Sequence, residues 1–400
     1  MTDVMTIQET FDTATRHHKA GRLDLAEKLY RHVLKDDPHN ADALHSLGII
    51  AHQKGKQKTA VDLLRRAISN NKHNPYFHNN IGLILAAHGR NDEAIKAFRI
   101  AVSMKLDYAD AHYNLGCALK NQGLPDEAAT SFTKALQLKP DFVEAWYNLG
   151  NAQQAESQFE AAIESYNHAL RLKPSFEKAH NNLGLAFKAQ GDSSSAIENY
   201  KKAIALNPNF AEAQWNLSLA ELLCGNFIEG FKGYEWRFKK SDWKATYPFR
   251  YEVPCWDGSS FPGKKLFVHS EQGLGDTMQF VRYLPMVKAA GGTVLFETAK
   301  SLAGLFQNSA GIDKIVEPSS DGRMPEECDM YIPLLSLPRI FGTTLETIPA
   351  DIPYVYADHD KADYWRGKLV HNDFRIGLVW AGKSTHHNDH NRSCPLEHFI

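Results

Sequence analysis

Residues 143–176 read VEAWYNLGNAQQAESQFEAAIESYNHALRLKPSF, and the same cadence recurs on both sides of them. Gly48, Gly82, Gly116, Gly150 and Gly184 fall 34 residues apart, as do Ala26, Ala60, Ala94, Ala128, Ala162 and Ala196. A fixed period of this length marks a solenoid, in which no unit buries its apolar face alone and stacking supplies the core. Seven units result, beginning near Ile7, Ala41, Pro75, Ala109, Val143, Glu177 and Ala211.

The spacing predicts two helices per unit. Trp146, Leu149 and Gln153 share a face of the first, and Ala162, Tyr166 and Ala169 run along the second. Gly150 and Ala162 are expected where the two helices cross closely, because a longer side chain there would force them apart. Pro140, Pro174 and Pro208 follow the second helix and stop it. The edges drift, with Ala14 in the glycine position of the first unit and Ser218 and Gly230 replacing Gly and Ala in the last. Trp146, Leu149, Gly150, Ala162, Tyr166, Ala169 and Pro174 occupy the positions of the tetratricopeptide consensus, which the unit resembles.

A second row is not demanded by packing. Asn80, Asn114, Asn148, Asn182 and Asn216 also step by 34, with Ser46 in the same place in the second unit. Each lies on a first helix, and first helices line the concave side of such superhelices. Two readings stay open: amides gripping an extended polypeptide through its backbone, or amides bonding the neighbouring unit or water. The strings AHYNLG, AWYNLG and AHNNLG resemble the repeats of the O-linked N-acetylglucosaminyltransferase, and that resemblance implies that the asparagines hold an acceptor polypeptide.

At 400 residues the chain is too long for one core, so two or more domains are expected. Its 45 basic and 47 acidic residues are balanced and form no basic stripe, which argues against nucleic acid as a partner. Cys117, Cys224, Cys255, Cys328 and Cys394 make no CxxC pair and read as reduced cysteines. The polar start MTDVMTIQETFDTATRHH is no signal peptide, and no stretch approaches the roughly 18 apolar residues of a membrane span. A soluble, cytoplasmic chain is the expectation.

The repeats are assigned to residues 1–240. Phe231, Tyr234, Trp236, Phe238 and Trp243 crowd together after the last one and are expected to cap the solenoid. Residues 241–263, with three prolines and two glycines, read as a linker. From Lys264 to residue 372 short apolar runs alternate with helical segments: LFVHS, TVLFET, KIVE and DMYIPL as strands, with helices near 277–290, 302–308 and 360–370. This alternation indicates a parallel sheet of Rossmann-like kind.

HSEQGLGDTMQFVRYLP follows the first strand and opens a helix, where α/β folds place ligands. Gly273 and Gly275 allow close backbone approach, and Asp276 is a candidate general base at the mouth. A dinucleotide fingerprint with Glu297 as its acid fails because Met278 stands at the third glycine. A plain helix cap at Asp276 is the other reading. EQGLGDTMQFVRYLP and RIGLVWAGKSTHHNDHNRSCPLEHF together resemble the glycosyltransferase-like domain fused to tetratricopeptide repeats in many bacteria, itself similar to ADP-heptose lipopolysaccharide heptosyltransferases.

That resemblance implies a GT-B fold of two facing Rossmann domains and inverting transfer from a nucleotide sugar without metal or other cofactor. It assigns Asp276 as base and Gly273 and Gly275 to the reacting centre. Lys383, Ser384 and Arg392 are the groups suited to the donor phosphates. His387 and His390 replace the usual cations, and a metal site at His386, His387 and His390 lacks an added acid of clear spacing. Residues 373–400 are expected to open a second Rossmann domain that is cut short. The alternative function is an interaction scaffold whose α/β part is vestigial.

Overall fold

The computed structural model describes residues 5–240, 251–319, 324, 327–356 and 358–368. Seven helix pairs come first: α1 (Ile7–Lys19) and α2 (Leu23–Asp36), α3 (Ala41–Gln53) and α4 (Gln57–Asn70), α5 (Pro75–Ala86) and α6 (Asn91–Met104), α7 (Ala109–Asn121) and α8 (Pro125–Leu138). The series continues with α9 (Val143–Ala155) and α10 (Phe159–Leu172), α11 (Glu177–Ala189) and α12 (Ser193–Leu206), α13 (Ala211–Leu223) and α14 (Phe227–Tyr234). Each first helix begins at the residue that the period predicts.

The turn inside each pair needs one residue with positive φ. Gly21, Gly55, Gly89, Gly123, Gly191 and Gly225 supply it at φ 71–84°. The fifth pair uses Ser157 at φ 58°, a conformation that costs an L-residue about 1 kcal/mol or more. Polar side chains hold several helix starts, with Thr6, Asn40, Asn74 and Asp192 each accepting a backbone N–H of the first turn.

The glycine row marks the close crossing that was expected, with a side chain of the second helix lying over each glycine. A Cβ on Gly82, Gly116, Gly150 or Gly184 would stand 2.6 Å from a ring carbon of Phe98, Phe132, Tyr166 or Tyr200, and on Gly48 2.9 Å from Leu64. The ring on the second helix thus lies directly against the glycine, and the alanine row is packed fully beside it. Ala60, Ala94, Ala128, Ala162 and Ala196 are completely buried. Residues of successive pairs merge into one core, as when Leu64, Phe98, Leu115, Phe132 and Leu149 join a single cluster. Burial of such rings is worth roughly 25 cal/mol per Å2 removed from water.

After α14 the chain makes a 3-10 turn, Glu235–Lys239. Tyr234 packs on Trp215 at 4.6 Å, and the fully buried Arg237 guanidinium lies over the Tyr234 and Phe238 rings. Arg237 also donates to Glu235 Oε1 and Ser336 Oγ, both at 2.8 Å. Residues 336–348 group with the repeats in one compact unit, whereas the described residues of 251–335 and of 349–368 form another. Trp243 lies outside the described residues.

The second unit holds four parallel strands in the order β3-β2-β1-β4: β1 (Lys265–His269), β2 (Thr293–Glu297), β3 (Lys314–Val316) and β4 (Met330–Pro333). Short helices at Leu274–Phe280, Leu284–Ala289 and Lys300–Phe306 make the crossovers, and His359–Lys368 forms a further helix. Phe267, Leu295 and Val316 share one sheet face with Tyr251, whose ring meets Phe267 edge-on. Part of the stretch expected to be linker belongs to this unit. Trp256 is buried, its backbone N–H bonds Tyr331 O, and the Tyr331 N–H bonds Pro254 O. The described residues contain this one sheet. Residues 373–400, expected to open a second Rossmann domain, lie outside them, as do Lys383, Ser384 and Arg392. Among the described residues no helix is long and apolar enough to cross a membrane.

Candidate functional site

The asparagine row lies where consecutive first helices touch. The Asn80 amide nitrogen is 2.8 Å from His45 Nε2, and that of Asn114 is 2.9 Å from Asn79 Oδ1. Asn148 donates to Tyr113 Oη at 3.2 Å, Asn182 to Tyr147 Oη at 3.1 Å and Asn216 to Asn181 Oδ1 at 2.9 Å. In every case the acceptor stands 35 positions earlier, in the preceding unit. Each amide nitrogen therefore makes a contact between units, and that of Asn148 also donates to the Glu144 carbonyl of its own helix at 2.9 Å.

The exceptions obey the same rule. Ser46 replaces asparagine in the one unit whose partner position would be Phe11, a ring without an acceptor. At the other end the equivalent position is Trp215, whose indole only donates. The signal for this pairing was present in the sequence. His45, Asn79, Tyr113, Tyr147 and Asn181 also step by 34, and all carry an acceptor.

With the nitrogens fixed, the amide oxygens are aimed. Asn148 Oδ1 accepts from Lys120 Nζ at 2.8 Å, and the oxygens of Asn80 and Asn182 accept from Asn79 and Asn181 at 3.3 and 3.0 Å. The oxygens of Asn114 and Asn216 accept no bond from a described side chain, and both residues are partly exposed. Burial raises the Tyr113 and Tyr147 phenols above their ordinary range, so both stay neutral. Burial likewise depresses the His45 imidazole to about 4, which keeps it neutral and able to accept from Asn80. Lys188, equivalent to Lys120 two units later, is half-buried and has its pKa lowered by loss of solvent.

A further row escaped the sequence reading. His78, His112, Trp146, His180 and Gln214 sit at one position of successive first helices, and each sends a side-chain N–H to the carbonyl six residues earlier. Those carbonyls, of Lys72, Leu106, Pro140, Pro174 and Pro208, lie in the turns between units. Three residue types serve because each offers a donor at about the same reach, which conceals the row from a search for identical letters.

In the α/β unit, Asp276 stands three residues into the helix that Gly273 opens. Its Oδ2 accepts the Gly273 N–H at 3.0 Å, the reciprocal contact of a helix cap. A Cβ on Gly275 would meet nothing. His269 and Glu297 end the paired strands β1 and β2 in register, both buried, and burial pushes the Glu297 carboxyl up to about 7. Glu271 is buried beside them in sequence and accepts the Leu335 N–H at 3.3 Å. Among the described residues no group of three or more His, Cys, Asp or Glu side chains is placed to hold a metal ion.

Comparison with known proteins assigns the helical part. Family models described as tetratricopeptide repeats match residues 11–75, 109–142, 131–164 and 177–210, and one described as TPR repeat matches 82–123 and 155–191. The array is a tetratricopeptide solenoid. FlbA of Caulobacter vibrioides is 26% identical over 178 residues, which are 40% of this chain and 29% of FlbA, so the match spans under a third of that relative. Among solved structures, MamA is 30% identical and aligns over 42% of this chain and 98% of MamA, with a TM-score of 0.39. YrrB, described as a TPR protein with an unusual peptide-binding site, is 18% identical over 46% of this chain and 95% of its own, with a TM-score of 0.43. The tetratricopeptide matches lie within residues 11–210 and do not extend to the sheet.

Proposed function

We propose that this protein is an interaction scaffold whose tetratricopeptide array binds an extended polypeptide along its first-helix face. The observation that carries this reading is the asparagine row, in which the preceding unit holds each amide nitrogen and thereby orients the oxygen. An extended chain offers backbone N–H groups at regular intervals, and preoriented carbonyl oxygens accept them without regard to side chains. A carbonyl oxygen has two lone pairs, so the oxygens of Asn80, Asn148 and Asn182 can accept again beyond their internal bonds. Lys120 and Lys188 add cationic groups near the same face and favour segments with acidic side chains.

The test is peptide binding by the full chain, with hits from a displayed peptide library remeasured by calorimetry. Asn114→Ala combined with Asn216→Ala removes the two oxygens that have no internal donor. A loss of tenfold or more is expected, with the helical signal unchanged. Undiminished affinity would reject the backbone grip.

The second reading is sugar transfer, with a nucleotide sugar as donor and Asp276 as base. It is favoured by the position of the GLGD loop, at the carboxyl end of a parallel strand and at a helix start. Asp276→Asn separates its two roles. If Asp276 serves only as a cap, the substitution lowers stability by about 1 kcal/mol or less and alters no chemistry. If it is the base, transfer to an acceptor peptide disappears while the fold survives.

A further inference from the structure

Four residues into its first helix, the fifth unit carries Trp146, whose ring stacks on His168 at 4.2 Å and an interplanar angle of 10°. The fourth and sixth units have His112 and His180 at that position, with Lys134 and Lys202 where His168 would be. An imidazole is one fused ring smaller than an indole, and a lysine stem does not fill a stacking plane. The fourth unit accordingly holds a cavity of about 720 Å3 lined by His112 and Lys134, and the sixth one of about 410 Å3 lined by His180 and Lys202.

The larger cavity has a defined chemistry. His112 Nε2 must donate to the Leu106 carbonyl, which only accepts, at 3.1 Å. The neutral ring then keeps a lone pair on Nδ1, and no described residue donates to it. In the smaller cavity the Asn199 side chain covers the equivalent atom, its Oδ1 lying 3.2 Å from His180 Nδ1. Val102, Leu115 and Leu149 supply apolar walls around His112, and Lys134 contributes an exposed cation at the rim. A cation beside a cavity of this shape complements the negative face of an aromatic ring.

We infer that the His112–Lys134 cavity receives a tryptophan or tyrosine side chain of a partner polypeptide. Its N–H or O–H donates to His112 Nδ1, and its ring lies against Lys134. Trp146, which takes the place of His112 one unit later, shows that a planar ring at this point of the frame stacks on the side chain at the lysine position. The inference rests on the reading that the repeats bind polypeptide, but it uses side chains separate from the asparagine row.

The experiment titrates the peptide Ac-Gly-Gly-Trp-Gly-Gly-NH2, and its leucine counterpart, into the isotope-labelled full chain and follows side-chain resonances by NMR. Saturable shifts of His112 and Lys134 are expected, with a Kd on the order of 1 mM for a single anchoring side chain and at least fivefold weaker binding of the leucine peptide. His112→Trp fills the cavity from within and should abolish the shifts while the melting temperature holds or rises, so the loss does not reflect unfolding. Lys134→Ala should weaken binding about threefold. Absence of saturable shifts at His112, equal binding of the leucine peptide, or shifts that persist in His112→Trp would each overturn the proposal. Asn114→Ala with Asn216→Ala should leave these shifts intact, which keeps a failure of the backbone grip distinct from a failure of this pocket.

Discussion

His45 should make the first units of the array sensitive to acid. In the folded chain its ring stacks on Phe77 at 4.6 Å and accepts from Asn80, and burial depresses its pKa to about 4 from the 6.5 of an unfolded chain. The sign follows from that order. Above pH 6.5 the ring is neutral in both states and the stability is fully present. As pH falls from 6.5 toward 4, the unfolded state takes up a proton that the folded state refuses. The gap of about two and a half units, at about 1.4 kcal/mol per unit, sets a ceiling between about 3 and 4 kcal/mol on the loss. Protonation also removes the lone pair that Asn80 uses, so the contact between the second and third units is lost with it. Asp24 and Glu27, whose pKa values are lowered by Lys54, add acid sensitivity of their own, so a control is needed. His45→Asn provides one, because it installs the pair that Asn79 and Asn114 already form one unit later. At neutral pH this variant should be weaker by about 1 kcal/mol, the worth of the lost stack. At about pH 4.5 it should equal or exceed the parent in urea denaturation and in amide exchange of α3 and α5. An NMR titration placing His45 near its ordinary value, or an identical acid loss in His45→Asn, would refute the reasoning.

Other outcomes follow from single positions. Gly116→Ala should cost about 1–3 kcal/mol in thermal melts despite its better helix propensity, because its Cβ would stand 2.6 Å from the Phe132 ring. Phe132→Leu in the same chain should recover part of that, as Gly48 already faces Leu64. Ser157→Gly should stabilise the fifth unit by up to about 1 kcal/mol in the same assay, since the residue adopts φ 58° where six other turns use glycine. Glu297→Gln should flatten the pH dependence of the α/β unit. Its carboxyl has a folded pKa raised to about 7, so its share of stability is full below the unfolded value and is lost as pH rises through 7. The variant should therefore gain most above neutral pH in denaturant melts.

The helices were legible because two rows of small residues enforce the period and leave little else that the chain could do. Their starts at Ala41, Val143 or Ala211 agree with the structure because the stop, turn and start residues repeat with the same step. The four strands were readable from runs such as LFVHS and TVLFET, whose central residues are buried on both sheet faces. The close crossing at Gly150 was legible, whereas the side chain that lies over it, the Tyr166 ring, was not, since sequence shows that space is scarce without showing what takes it. The donor row through His112 and Trp146 was hidden because its requirement is one N–H at a given reach, which several residue types meet. Of the linker expected over residues 241–263, the part from residue 251 groups with the sheet, which composition did not show. Prolines and glycines in YEVPCWDGSSFPGKK suggest irregular chain, yet Pro254 and Trp256 use backbone groups to extend the sheet beside β4.

The bond between each asparagine and the acceptor before it bears on how an array of this kind changes length. Removal of a whole internal unit such as residues 109–142 would bring Asn148 next to Asn79, which accepts as well as Tyr113 does. Internal units are therefore interchangeable, and duplication or excision in steps of one period preserves every junction. Phe11 cannot be followed by an asparagine unit without leaving that amide unserved, and neither can Trp215. The unit carrying Ser46 is the one suited to stand second, so recombination is free in the interior and restricted at both ends.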